Sequence, residues 1–502
     1  MNNTTYTQFD KQAVRHSALS YAISLLTENR NNATCVSRNY VRKVYDSFVM
    51  NEDEDSNKAE AKKVEKQYIL DWERLFDSCL GSKRPSDLVI CYLCGPEPKN
   101  DFDEMVSLGV LPQNIWAFEE DRGTYRTALS SYETGCYSQP RIIRQNIETF
   151  FQQTPKKFDI VYIDACGTVP SEQHALRCVS TLFNTHRLSS PGIIISNFSE
   201  PDDKDPYIDL IAQYVFSKTD KKYTLNKKTG QFDNPEYLGL VDEVKKDFYS
   251  FYGEYITFLL RDIPSVIVPI SRFWKNPFLN QMIDNTKPFP SIDNVDLEAI
   301  SNMGSIQRFI LSYNYQKKHG ICDGKTDMLI SEIDPNQNIV RSLFESQLLK
   351  DGKMPINLQI EEVQKFFESK SKIYQFLDRP HRNMFYDLVI NQMSYPFHCC
   401  TEKVRRFRYC AKKTTMFTDI IPFDECRYIY EWVPGLHQII SAFQNLSWQY
   451  SFRFALDGLI KSRQLYNNEF FYQGSVVSHQ NSEFSLCIMP QREIISGGTF
   501  NG

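Results

Sequence analysis

The chain has 502 residues, 41% hydrophobic, 14% aromatic and 24% charged, with a formal net charge of −5. This composition excludes a disordered or collagen-like chain. It also excludes a surface that is basic all over, so contact with nucleic acid would have to come from a local patch. At roughly 100–200 residues per domain, the length predicts two or three domains.

The first residues, MNNTTYTQFDKQ, lack the basic segment and apolar stretch of a secretory signal. No apolar run approaches the ~20 residues that cross a bilayer, so a cytoplasmic location is expected. Thirteen cysteines scattered along the chain point to reduced thiols packed as small hydrophobes rather than a disulfide framework.

In chain order, residues 13–26 place Ala18, Leu19, Ala22, Ile23, Leu25 and Leu26 at helical spacing. The charged run MNEDEDSNKAEAKK at 51–64 reads as a linker, or as the opening of a helix through 68–76. From Ser86 the pattern changes to short apolar runs separated by helical stretches. Strands are predicted at 88–93, 114–119, 141–144, 158–164 and 192–197, with helices at 102–108, 124–132, 174–183 and 207–216. Two last apolar runs, 255–260 (YITFLL) and 265–270 (SVIVPI), are separated by a short segment and predict an antiparallel hairpin. Alternating strands and helices imply a parallel sheet covered on both faces. Beyond Ser271 the pattern is mainly helical, with candidates at 358–367, 373–377, 383–393, 436–443 and 452–465. The expected division is therefore a helical segment over 1–85, an α/β domain over 86–270 and a mainly helical domain over 271–502.

Five parallel-type strands followed by a terminal hairpin resemble the Rossmann-like fold of class I S-adenosylmethionine-dependent methyltransferases over about 185 residues. The resemblance implies S-adenosylmethionine as cofactor, held at the carboxyl ends of the first strands. Gly95 follows the first strand and allows close backbone approach. The family usually has two or three glycines here, whereas this loop reads Cys-Gly-Pro-Glu-Pro. Asp101 is a candidate cap for the next helix. Glu119, directly after the second strand, is placed to accept hydrogen bonds from both ribose hydroxyls, or else to start the following helix. Asn146, after the third strand, is either an adenine contact or a turn residue.

The fourth strand ends in Asp164-Ala165-Cys166-Gly167-Thr168. Its Asp-x-x-Gly-Thr spacing is loosely similar to the corresponding segment of tRNA guanine-N2 dimethyltransferases. That similarity makes Asp164 the candidate catalytic residue, an acceptor for a target amine or a general base. Cys166 reads as a packed thiol rather than a nucleophile.

His398, Cys399, Cys400, Cys410, Cys426 and His437 invite a zinc reading, but their gaps are wide and unpaired, which favours core thiols and no metal. The run KVRRFRYCAKK supplies Lys403, Arg405, Arg406, Arg408, Lys412 and Lys413 with interleaved aromatics, a pattern suited to phosphates and stacked bases. A second lysine-rich run, 218–228, reads as plain surface. The function expected is methyl transfer to nucleic acid, RNA rather than duplex DNA. The alternative is a non-catalytic methyltransferase-like scaffold whose 271–502 region meets protein partners, for example in an antiviral assembly.

Overall fold

A computed structural model describes residues 9–50, 56–132, 141–165, 167–169, 174–216, 224–225, 232–233, 235–269, 395–411, 413–432 and 489–495. The helices predicted between 358 and 465, with Cys166, Lys412 and His437, lie outside the described residues, as does most of the 218–228 run.

Helices α1 (Phe9–Leu26), α2 (Tyr40–Val49), α3 (Ser56–Ala61) and α4 (Lys66–Leu80) precede the sheet. The second half of the charged run therefore forms a short helix of its own. The α/β core then runs β1 (Ile90–Leu93), α5 (Lys99–Ser107), β2 (Ile115–Phe118), α6 (Arg122–Tyr132), β3 (Ile142–Ile143), α7 (Ile147–Gln153) and β4 (Phe158–Asp164). It continues with α8 (His174–Asn184), β5 (Leu188–Ser199) and α9 (Asp205–Phe216). A small antiparallel pair, β6 (Thr224–Leu225) and β7 (Phe232–Asp233), leads to α10 (Pro235–Lys246) and α11 (Phe248–Asp262). The last described elements are β8 (His398–Cys399), β9 (Arg405–Ala411), β10 (Thr414–Asp424), α12 (Arg427–Tyr430) and β11 (Glu493–Ile495).

Along the main sheet the strand order is β11-β9-β10-β5-β4-β1-β2-β3, with β8 also pairing β10. Strands β1 to β5 pair in parallel. β10 lies antiparallel between β5 and β9. This is like the class I methyltransferase fold: parallel strands whose order reverses at β1, with one antiparallel strand, β10, inserted between β5 and β9.

The closing hairpin is not the one predicted. Residues 255–260 are helical within α11, and 263–267 continue as a π-helical turn. In α11, Tyr255, Ile256, Thr257, Leu259 and Leu260 are all buried. A helix enclosed on nearly every side carries no polar stripe, so a short apolar run there cannot be told from a buried strand by periodicity. β9 and β10, from within 271–502, supply the hairpin instead.

Two cores flank the sheet. On one face α1, α5 and α6 pack through Leu19, Phe102, Met105 and Ala128 against Ile90, Tyr92, Ile160 and Ile195. On the other, α4, α7, α8, α9 and α11 bury Trp72, Phe151, Leu182, Ile211 and Tyr255 against Val161, Ile194 and Phe417. The alternation of residues between the two cores along β4, β5 and β10 follows from the two-residue repeat of a strand. The N-terminal helices thus contribute to the same cores as the sheet. Among the described residues no helix is long and apolar enough to cross a membrane.

Candidate functional site

The strand order reverses between β1 and β4, and ligands of open α/β sheets bind in the crevice outside the carboxyl ends of such strands. Gly95 sits just past β1 with φ +56°, and a Cβ built there would meet nothing within 4 Å. The left-handed backbone requires glycine, and the space beside it is open. Asp101 does not cap α5, whose N-cap position is Pro98. It lies inside the first turn and is buried against Arg15 of α1 at 2.5 Å.

Glu119 is half-buried at the end of β2, and one of its oxygens accepts from the Asp121 amide at 2.9 Å. Burial, with the Glu119 charge as the next cause, pushes the Cys94 thiol up to about 12. The Cys94 amide donates to the Phe118 carbonyl at 3.1 Å, which sets Glu119 next to the Cys94-Gly95 turn. Asn146 is the N-cap of α7, its Oδ1 accepting from the Glu148 and Thr149 amides. Its Nδ2 donates to Glu120 at 2.9 Å, so the side chain is engaged at both ends as a turn residue.

Asp164, at the end of β4, faces α1. Its Oδ2 pairs with Lys11 Nζ at 2.9 Å and its Oδ1 accepts from Asn197 Nδ2 at 2.8 Å. Asn197 is buried and lies opposite Asp164 in register. Its Oδ1 accepts from Thr418 Oγ1 at 2.9 Å and from the Tyr409 hydroxyl at 3.2 Å. A polar row therefore crosses β4, β5, β10 and β9 under the first turns of α1. The two α1 cations, Lys11 and Arg15, stand four residues apart on one helical face and close that row from above.

Lys11, Arg15, Thr418 and Tyr409 escaped the sequence reading because their partners are 153, 86, 221 and 212 residues away (Lys11 to Asp164, Arg15 to Asp101, Thr418 and Tyr409 to Asn197). The one available signal was the helical spacing of Lys11 and Arg15 ahead of an apolar stripe.

Burial is the largest influence on Asp101 and pushes its carboxyl up to about 6, against the pull of Arg15. Between the unfolded value and 6 the native state holds a proton that the unfolded chain has released. The stabilisation from this group is complete below the unfolded value and is lost as pH rises through the native one. Urea midpoints should therefore fall between roughly pH 4 and pH 6, and Asp101→Asn should flatten that part of the profile. An unchanged slope in the variant would remove Asp101 as its source.

The basic run occupies β9, and the structure does not gather it on one surface. Arg405 is exposed, 4.7 Å above the Tyr21 ring of α1. Arg406 points to the opposite face, buried, with its guanidinium 2.6 Å from Glu254 and donating to the Pro490 carbonyl. Arg408, on that same face, lies 5.6 Å from the Tyr249 ring. Lys403 precedes the strand and Lys413 follows it. The seven residues Arg405–Ala411 between them span about 20 Å at the usual rise per residue. Cations consecutive in sequence are thus separated by the pleat and by the length of the strand. Lys413 lies at the same end of the sheet as Asp164.

No family model matches the chain, and no curated protein matches it. Among solved structures, one from Haemophilus influenzae described as a methylase aligns at 17% identity, covering 23% of this chain and 65% of its own, with a TM-score of 0.20. An S-adenosylmethionine-dependent methyltransferase from Clostridium acetobutylicum aligns at 16% identity over 32% of this chain and 56% of its own, TM-score 0.19. The magnesium protoporphyrin IX methyltransferase of Synechocystis, with bound S-adenosylmethionine, aligns at 15% identity over 38% and 85%, TM-score 0.19. The chain spans less than two thirds of the first two proteins. The assignment of the fold rests on strand order and direction in this chain.

Proposed function

We propose that this chain is an S-adenosylmethionine-dependent methyltransferase, with the adenosine end of the cofactor against Gly95 and Glu119. The observation that carries this reading is the open, left-handed Gly95 turn next to the half-buried Glu119, at the carboxyl ends of the adjacent parallel strands β1 and β2. When bound, the cofactor would supply an electrophilic methyl group on sulfur. The residues fit such a ligand: Glu119 offers an acceptor for ribose hydroxyls, while Lys11, Arg15 and Asp101 offer both signs of charge to an amino-acid tail. The chain's own contribution would be orientation and the exclusion of water, with Asp164 held by Asn197 as acceptor for the proton of an incoming amine.

As acceptor we propose nucleic acid, RNA rather than duplex DNA. Support comes from Lys413, which follows β9 at the Asp164 end of the sheet, with Arg408 on the strand before it. Methyl transfer from labelled cofactor to total RNA is the test. Asp164→Asn should lower turnover by about 100-fold, within the range typical for an acid–base group, with cofactor affinity kept. Turnover on a non-nucleic-acid substrate alone would replace the acceptor and leave the reaction class standing.

A second reading, a binding or scaffolding subunit without turnover, is favoured by the Lys11–Asp164 and Arg15–Asp101 pairs. Both pairs must part before those carboxylates can meet a ligand.

A further inference from the structure

Three thiols distant in sequence meet where the α1–α2 connection crosses the far end of β10. Cys35 Sγ lies 3.4 Å from Cys400 Sγ. Cys35 Sγ, Cys426 Sγ and an Asp424 carboxylate oxygen all fall within 4.8 Å of one another. Cys400 and Cys426 are buried and Cys35 is partly so. Cys426 adopts a left-handed backbone, φ +50° and ψ +40°, uncommon for a residue with a Cβ. The turn brings its sulfur back to 3.7 Å from Asp424 Oδ2.

We propose that Cys35, Cys400, Cys426 and Asp424 form a closed four-ligand site for a divalent metal of the zinc class, tying the N-terminal helices to the sheet. Thiolates about 2.3 Å from a tetrahedral zinc stand roughly 3.8 Å apart; Cys35 and Cys400 already lie at 3.4 Å, Cys426 and Asp424 join Cys35 within 4.8 Å, and Cys400 would close on them as the metal binds. A disulfide would use Cys35 and Cys400 and leave the convergence of Cys426 and Asp424 without a purpose.

The surroundings suit a metal. Ser190 Oγ and the Cys426 amide each donate to Asp424 Oδ1 at 3.0 Å, and the Tyr428 hydroxyl donates to Oδ2 at 2.7 Å. Such outer contacts fix the orientation of a ligating carboxylate. Metal binding would release three thiol protons to solvent, each sulfur giving its freed electron pair to the cation.

The test is titration of chelator-stripped, tag-free full-length protein with Co²⁺. Binding of about one cobalt per chain is expected, with the intense visible bands of a tetrahedral thiolate site, and Zn²⁺ should displace it. Cys400→Ser and Cys426→Ser should abolish the bands, whereas Cys79→Ser and Cys410→Ser should keep them. Where a cluster variant does not fold, differential alkylation of the native wild type decides: Cys35, Cys400 and Cys426 should be protected by Zn²⁺ and freed by chelator. Absence of the bands, thiols equally reactive with and without Zn²⁺, or a recovered Cys35–Cys400 disulfide would each overturn the assignment.

Discussion

Asp419→Ala is expected to destabilise the fold by about 3–5 kcal/mol, the usual cost of removing one partner of a buried ion pair. Asp419 is wholly buried on β10 and lies 2.5 Å from Arg492, whose side chain is 10% exposed. Arg492 also donates to the Phe407 and Gly253 carbonyls and to Thr257, while Thr257 donates to Asp419 at 2.6 Å. The guanidinium is thus fixed among β9, β10 and α11 and cannot follow its lost partner into water. Gly253 permits the approach, since a Cβ there would stand 2.8 Å from Arg492 Nε. Urea unfolding with an unchanged slope measures the loss. Asp419→Leu with Arg492→Met should recover most of it, because an apolar pair leaves no charge uncompensated. A loss below about 1 kcal/mol in the single variant would mean that the pair is solvated, contrary to its burial.

Glu119→Ala is expected to weaken S-adenosylmethionine binding by about 100-fold or more. Hydrogen bonds to a charged acceptor contribute about 1.5–3 kcal/mol each, and this site offers two ribose hydroxyls. The carboxylate is anchored by the Asp121 amide, so little ordering remains to oppose binding. Glu119→Gln should fall between wild type and Ala, keeping the shape and losing the charge. Glu120→Ala removes the Asn146 partner on the rim and should leave affinity within about threefold, as expected of an exposed contact. Equal losses in Glu119→Ala and Glu120→Ala would mean that the turn, rather than the carboxylate, holds the ligand.

How much of this was legible in the sequence depended on how local each signal was. The strands β1, β2, β4 and β5 announce themselves because apolar runs such as FDIVYID sit between helices of clear spacing. The hairpin was assigned to the wrong residues because α11 is apolar on nearly all sides, while the strands that close the sheet arrive some 140 residues later. The charged run on β9 hid its strand character: Arg406 reads as surface until Glu254 and the Pro490 carbonyl are seen around it. In the candidate site, Gly95, Glu119 and Asp164 could be singled out as candidates because each stands at the carboxyl end of an apolar run that reads as a strand. Lys11, Arg15, Thr418 and Tyr409 were not, since nothing local links them to their partners. The cluster of Cys35, Cys400 and Cys426 shows the same limit, because ligand spacing is informative only when ligands arrive in pairs.

The most direct test of the cofactor site is calorimetric titration of the full-length wild-type protein with S-adenosylmethionine and S-adenosylhomocysteine. Micromolar binding of both is expected, at one site per chain, competitive with each other and lost together in Glu119→Ala. No heat from either ligand, in a sample that unfolds cooperatively, would contradict the methyltransferase reading and leave the chain as a scaffold of the same fold.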